Sequence, residues 1–353
     1  MKILIDICHP AHTHFFHRVS DILKQRGHEV LVTSRDKEVT LKLLDEHRWS
    51  HRPLSAASTS GSFGLLRELF TRNIALWQVV MEFRPDVMTA IGGIFVAQVG
   101  FVSRIPSVVF YDTENAKLQN LLTYPFASVV AVPNCYEGWL PKAHVRYQGY
   151  HELSYLHPDY FTPDREIALA NGLSSDGETF VLRVVSWKAN HDVGETGWSK
   201  DLLRQVVGYL GQKGRVIISS EAQLPDDLQS YLYQGNPAEI HHVMAFSRLF
   251  VGESATMASE CVVLGVIAIY AAHTGRGYCN EQEKRYGLLK NVTNLDVDAL
   301  ISAIDELLSI PLDETKLRWQ TMIDEADDVA EYAVSLILKV GNKRSFKNLN
   351  DPQ

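Results

Sequence analysis

Leu249-Phe250-Val251-Gly252-Glu253-Ser254-Ala255-Thr256-Met257-Ala258-Ser259-Glu260 runs on through Cys261-Val262-Val263-Leu264 to Gly265 and a second apolar run, Val266-Ile267-Ala268-Ile269-Tyr270. An apolar run, a turn of small residues, a helix-forming segment and a glycine before the next apolar run spell strand, helix, strand. Small side chains at 254–256 let backbone N–H groups approach a ligand closely. A helix N-terminus there favours a diphosphate through its dipole and its unpaired donors. Glu260 lies one turn beyond Thr256 on the same helix face. From that position a carboxylate would accept both ribose hydroxyls of a nucleotide whose phosphates sit at the helix start. The spacing alone equally fits a Ser/Thr-capped helix with a solvent-facing glutamate.

The alternation extends in both directions. Downstream of an irregular joint at 147–158, strands are expected at 180–185, 215–219, 249–251 and 266–270, with helical segments between them and a last helix at about 329–340. Upstream, apolar β-branched runs at 3–7, 29–33, 87–91 and 107–111 alternate with helices at 15–26, about 38–47 and about 65–83. The small, polar stretch 55–62 reads as a loop. Strands separated by helices mean parallel βαβ units with right-handed crossovers. The fold class is therefore α/β, with two doubly wound, Rossmann-like domains. The expected division is 1–150, 151–328 and a closing helix and basic tail, 329–353, with that helix packing back on the first domain. The cleft between the domains is the default ligand site.

Composition narrows the function. The chain has 353 residues, 46 % hydrophobic and 22 % charged, with a formal charge of −8. Acidic residues are spread along the chain and no basic stripe offsets them, which argues against a nucleic-acid partner. The basic cluster 343–347 reads as a solvated end. Cys8, Cys135, Cys261 and Cys279 show no CxxC spacing, so neither a zinc ribbon nor a disulfide scaffold is expected. The N-terminus runs straight into a strand, so no signal peptide is expected. The longest apolar stretch, 87–102, is short of the roughly twenty residues that span a bilayer. A cytoplasmic protein follows, with contact at the inner face of the membrane left open by the apolar helix 65–83 and its Arg67 and Arg72. That helix is read as core-facing through Leu66, Leu69, Phe70, Trp77 and Val80, with its arginines solvated.

The 252–265 segment resembles the nucleotide-sugar signature of the GT-B superfamily, which includes the peptidoglycan N-acetylglucosaminyltransferase and UDP-N-acetylglucosamine 2-epimerase. Ile91-Gly92-Gly93, Arg104-Ile105-Pro106-Ser107-Val108-Val109 and Asp112-Thr113-Glu114-Asn115 resemble the GGY…GIPVVLHEQN arrangement of the peptidoglycan enzyme. To about residue 310 the chain is similar to an uncharacterised archaeal and bacterial family of predicted GT-B glycosyltransferases, through DICHPAHTHFF, SRDKEVT, DTENAKLQN, GYHELSYLHP, VSWKANHD and GESATMASE. The resemblance implies a GT-B fold and a nucleotide-sugar co-substrate with no other cofactor. It assigns the diphosphate to Ser254, Ala255 and Thr256 and the ribose to Glu260, which keeps the five-residue offset to Gly265. It places Asn280 and Glu281 near the sugar, and Lys188 and His191 near the leaving diphosphate.

The turn Cys8-His9-Pro10-Ala11-His12-Thr13-His14 follows the first strand, where ligands bind in this architecture. Imidazole suits removal of an acceptor hydroxyl proton because its ordinary pKa is near neutral. His12 is the first candidate base and His14 the second; histidines that cap the helix and pack are the alternative. A metal site is not expected, since the histidines lack i,i+4 spacing with a third ligand. Asp112, Glu114 and Asn115 follow a buried strand; Glu114 is a candidate base, and Asp112, Asn115, Gly92 and Gly93 are candidate acceptor-binding residues. A helix cap is the alternative for this segment.

The leading expectation is a metal-independent glycosyltransferase. Its donor would be a nucleotide-sugar, UDP-linked, and its acceptor a lipid-linked or cell-surface glycan precursor. A UDP-sugar 2-epimerase or hydrolase on the same fold would instead alter the donor without an acceptor. A non-catalytic nucleotide-sugar sensor would bind the donor and leave it unaltered.

Overall fold

The computed structural model describes residues 1–36, 49, 51–56, 62–185, 197–221 and 223–342. The chain divides into two compact units, Met1–Tyr155 with Asp327–Gln353, and Leu156–Ala326.

The first unit is built on a seven-stranded sheet. Its strands are β1 (Lys2–Ile7), β2 (Glu29–Asp36), β3 (His51–Ala56), β4 (Val87–Ile91), β5 (Ser107–Phe110), β6 (Val129–Pro133) and β7 (His144–Tyr147). The order is β3-β2-β1-β4-β5-β6-β7, and every pairing is parallel. Ile3, Leu4, Ile5 and Ile7 of β1 are wholly buried, as expected of a parallel strand covered on both faces. Each such side chain contributes roughly 1.5–3 kcal/mol of transfer free energy. Strand order reverses between β1 and β4, so the loops leaving these two strands border the topological switch point.

Helix Pro10–Gln25 starts earlier than its hydrophobic period suggests. Pro10 supplies the helical φ at the first turn, and the His9 side chain accepts the Ala11 N–H at 3.3 Å. Helix Val329–Gly341 packs on it and against β4 and β5. The crossovers from β3 to β4, β4 to β5 and β5 to β6 advance in one direction. Right-handedness therefore sets Ser62–Phe83, Ile94–Ser103 and Lys117–Thr123 side by side on the other face.

The second unit repeats the plan with five strands in the order β12-β11-β10-β8-β9. These are β8 (Thr179–Val184), β9 (Arg215–Ser220), β10 (Leu249–Gly252), β11 (Ala268–Ala271) and β12 (Leu289–Val292). Its switch point falls between β8 and β10.

Four strands are additions to the sequence reading. β6 carries the continuous apolar run of an interior strand. The others, β3, β7 and β12, lie at sheet edges, where short polar sequences and the Pro53 of β3 are tolerated. The expected loop at 55–62 is corrected in part: β3 runs to Ala56 and the next helix begins at Ser62. The expected helix at 38–47 lies outside the described residues.

Arg72 is a second correction. It is wholly buried, its guanidinium 2.8 Å from Asp6 Oδ1 and 4.8 Å from the centre of the Phe95 ring. Phe70 and Trp77, read as core, are exposed instead. Apolar residues surround this helix, so its period does not say which side faces the sheet. Among the described residues no helix is long and apolar enough to cross a membrane.

Candidate functional site

In the second unit, β10 ends at Gly252, where a Cβ would meet the Arg183 carbonyl oxygen of β8 at 2.5 Å. The close approach of the two strands requires glycine there. Ser254 is the N-cap of helix Ala255–Val263, its hydroxyl accepting the Met257 N–H at 3.3 Å. The N–H groups of Ala255 and Thr256 belong to the first turn, ahead of any intrahelical acceptor. The helix ends at Gly265 with φ +86, and the Val266 N–H returns to the Cys261 carbonyl at 2.8 Å.

Glu260 does not face solvent. It is buried, and its Oε1 lies 3.0 Å from His241 Nε2, itself buried on helix Ile240–Ala245. Spacing along the chain does not single out His241, and the structure supplies it as the partner of Glu260. Glu253 is also buried. Its two carboxylate oxygens accept the backbone N–H of Val185 at 2.9 Å and of Trp198 at 2.6 Å. One side chain thus fastens Val185, just after β8, and Trp198 beside the Ser254 turn. Lys188 and His191 lie outside the described residues.

Asn280 and Glu281 sit on the short helix Gly277–Glu281 after β11. Two contacts tie this segment to the Ser254 helix. Gln282 Nε2 donates to Ser259 Oγ at 2.8 Å, and the Cys279 thiol faces the Ala255 carbonyl at 3.9 Å. Glu281 is 3.6 Å from Arg285. The Ser254 helix and the helix that carries Asn280 and Glu281 thus follow the carboxyl ends of two neighbouring strands, β10 and β11.

In the first unit His12 lies in the first turn of helix Pro10–Gln25. The Cys8 N–H points at its Nδ1 from 3.4 Å, near the long limit of a hydrogen bond. That contact orients the ring more than it fixes the tautomer. His14 turns elsewhere and stacks on Tyr155, with ring centres 5.3 Å apart.

Asp112 follows β5. Its Oδ2 is 3.1 Å from Nδ1 of His151, which is buried between Phe15 and Tyr147. Burial alone would raise the Asp112 carboxyl. The His151 charge and hydrogen bond, a hydrogen bond from Thr113 and the nearby His12 outweigh it and hold Asp112 at about 2. His151 was not among the sequence candidates. It lies late in the first unit, far along the chain from Asp112, and only its place in GYHELSYLHP hints at it. Its Nε2 is buried without a hydrogen-bond partner among the described residues.

Glu114 accepts the Glu137 N–H at 3.4 Å and Asn115 is exposed. Gly92 and Gly93 border the switch point after β4. The Gly92 carbonyl accepts from Tyr111 Oη at 2.7 Å, Gln119 Nε2 at 2.9 Å and Thr123 Oγ1 at 3.2 Å, and its N–H donates to the Phe110 carbonyl at 2.9 Å. Both backbone groups of Gly92 thus hold the turn itself. With φ +68 and Gln119 where a Cβ would sit, Gly92→Ala is expected to lose roughly 1–3 kcal/mol of stability by urea denaturation.

The model of the family described as "Protein of unknown function (DUF354)" matches residues 1–333. The chain belongs to this family. An uncharacterized protein of Methanocaldococcus jannaschii is 24 % identical over 284 residues, 75 % of this chain and 80 % of its own length. Among solved structures, the UDP-GlcNAc 2-epimerase of Neisseria meningitidis, bound to UDP-GlcNAc, is similar with a TM-score of 0.72 at 14 % identity. It covers 96 % of this DUF354 chain and 100 % of its own. MurG of Acinetobacter baumannii gives 0.63 at 13 % identity, covering 96 % and 100 %. The DUF354 chain has the GT-B fold, two Rossmann-like units of parallel strands and helices.

Proposed function

We propose that this protein is a metal-independent glycosyltransferase. In this reading the second unit binds a UDP-sugar and the first unit binds a hydroxyl-bearing acceptor, a lipid-linked or cell-surface glycan precursor. The observation that carries the reading is Glu260, a buried carboxylate in the second turn of a Ser254-capped helix that opens at a switch point. A diphosphate at Ser254, Ala255 and Thr256 gains unpaired N–H donors and the positive end of the helix dipole, which also stabilises it as a leaving group. His241 then orients Glu260 toward the ribose hydroxyls, with Asn280 and Glu281 on the sugar side and Lys188 and His191 near the phosphates. The Neisseria epimerase solved with UDP-GlcNAc supports UDP as the carrier.

On the acceptor side, His12 is the proton acceptor, with His14 and Glu114 as lesser candidates. Asp112 receives a hydrogen bond from the acceptor, and Asn115, Gly92 and Gly93 border it. A carboxylate held at about 2 is too weak a base for proton abstraction near neutrality. That supports transfer over an epimerisation that uses Asp112 as its base.

A thermal-shift panel of nucleotides and nucleotide-sugars tests the donor half. A ligand at a hundred times its Kd adds about 2.7 kcal/mol of stability. UDP or a UDP-sugar is expected to stabilise the wild type and to lose that effect in Glu260→Ala. A wild type that no nucleotide stabilises overturns the reading.

A further inference from the structure

The first unit carries an apolar surface on the outside of its helical layer. Helix Ser62–Phe83 turns Arg72, Leu76, Val79 and Val80 inward, and presents Phe70, Ile74, Trp77 and Met81 outward, a stripe at i, i+4, i+7 and i+11. The exposure is substantial, at 69 % for Phe70 and 44 % for Trp77. Its neighbour Ile94–Ser103 adds Phe101 and Val102.

The next helix, Lys117–Thr123, has its polarity reversed. Asn120 and Thr123 are buried while Leu118 and Leu121 stand 72 % and 61 % exposed. Its inward polar groups are used, Gln119 and Thr123 on the Gly92 carbonyl. Its outward leucines pay nothing to the core. Single exposed apolar residues are ordinary; a continuous outer face across three adjacent helices is not.

Charge selects the occupant. Helix Ile94–Ser103 has no charged residue and Arg104 follows it, while Lys117 is the one charge on the next helix. On Ser62–Phe83, buried Arg72 is neutralised by Asp6 and Glu82 by Arg52, while Arg67 is exposed. Exposed Arg67, Arg104 and Lys117 therefore give the face a local cationic excess on a chain of charge −8. Arg104 also lines, with Phe101, Ile105, Pro106 and Phe126, a hollow of about 330 Å³, a pairing of guanidinium and apolar wall that suits an amphiphile. A second copy docked face to face would bring like charges together. An anionic lipid surface supplies apolar depth for the side chains and counter-charge for the cations.

We propose that this outer face of the first unit rests on an anionic lipid surface. The inference is independent of the donor-site reading, and vesicle binding needs no nucleotide.

Flotation of the full chain with phosphatidylcholine vesicles, with and without phosphatidylglycerol, tests it. The wild type is expected to float with the anionic vesicles and to be released by salt. The double variant Trp77→Glu/Phe101→Glu should abolish flotation while keeping its far-UV circular dichroism, since both side chains are exposed. Arg104→Gln/Lys117→Gln should weaken binding to the anionic vesicles by roughly tenfold or more and erase the preference for them. A wild type that stays with the soluble fraction, or variants that float unchanged, overturns the proposal. So does a dimer by light scattering that Trp77→Glu/Phe101→Glu splits, because the face then belongs to a second copy.

Discussion

Arg72→Ala is expected to lower the unfolding free energy of the first unit by about 3–5 kcal/mol, because it leaves a carboxylate buried without its counter-charge. Asp6 is 1 % exposed and Arg72 is not exposed at all. Asp6 Oδ1 takes both the guanidinium at 2.8 Å and Thr33 Oγ1 at 2.7 Å. The Cys8 thiol lies 3.5 Å from the other oxygen and, pushed up to about 12 by burial and then by Asp6, stays protonated. With Arg72 removed, Asp6 loses the cation bonded to it and keeps the Thr33 hydroxyl and the Cys8 thiol. The packing of the guanidinium on Phe95 is lost as well. Replacing both members, Asp6→Val with Arg72→Met, removes the buried charge altogether and should recover most of the loss. Urea unfolding of the single and double variants reads the difference. A single variant within about 1 kcal/mol of wild type would show that water reaches Asp6.

The same helix explains what was legible in the sequence and what was not. The β1 run and the strand–turn–helix at 249–265 carry local signals, so the α/β class and the place of Ser254 follow from periodicity and small residues. Helix Ser62–Phe83 is apolar on both sides, so period does not choose between them, and the expectation that arginines are solvated places Phe70 and Trp77 in the core, the reverse of what the structure holds. What decides the matter is Asp6, on β1, whose buried charge draws in the arginine. The polar partners of the candidate site are equally non-local. His241 pairs with Glu260, and His151 with Asp112, across separate elements. No spacing rule links them. Glu253 has no role in the sequence reading, yet it accepts the amides of Val185 and Trp198. Lys188 and His191, outside the described residues, remain sequence proposals.

Asp112→Asn is expected to cost about 2 kcal/mol of stability at pH 6 and almost nothing at pH 2. The carboxyl is held at about 2 in the folded chain against an ordinary 3.8, and each unit of such a difference is worth about 1.4 kcal/mol. The folded state favours the ionised form, so the contribution is complete above the unfolded pKa. It fades as the pH falls from about 4 toward 2, where the folded carboxyl finally takes its proton. Thermal or urea unfolding of wild type and variant across that window isolates Asp112 from the other carboxylates, which are common to both. His151→Leu removes the charge and hydrogen bond that oppose burial, so Asp112 should rise and the acid-sensitive window should move upward in pH. If His151→Leu leaves the window in place, the carboxylate is held by Thr113 and His12 instead. The outcome bears on chemistry as well as stability. An Asp112 that stays ionised down to about 2 gives up its value as a base near neutrality and keeps its value as a fixed anion. In the proposed transfer, a fixed anion near His12 would stabilise the imidazolium formed if the ring took the acceptor's proton.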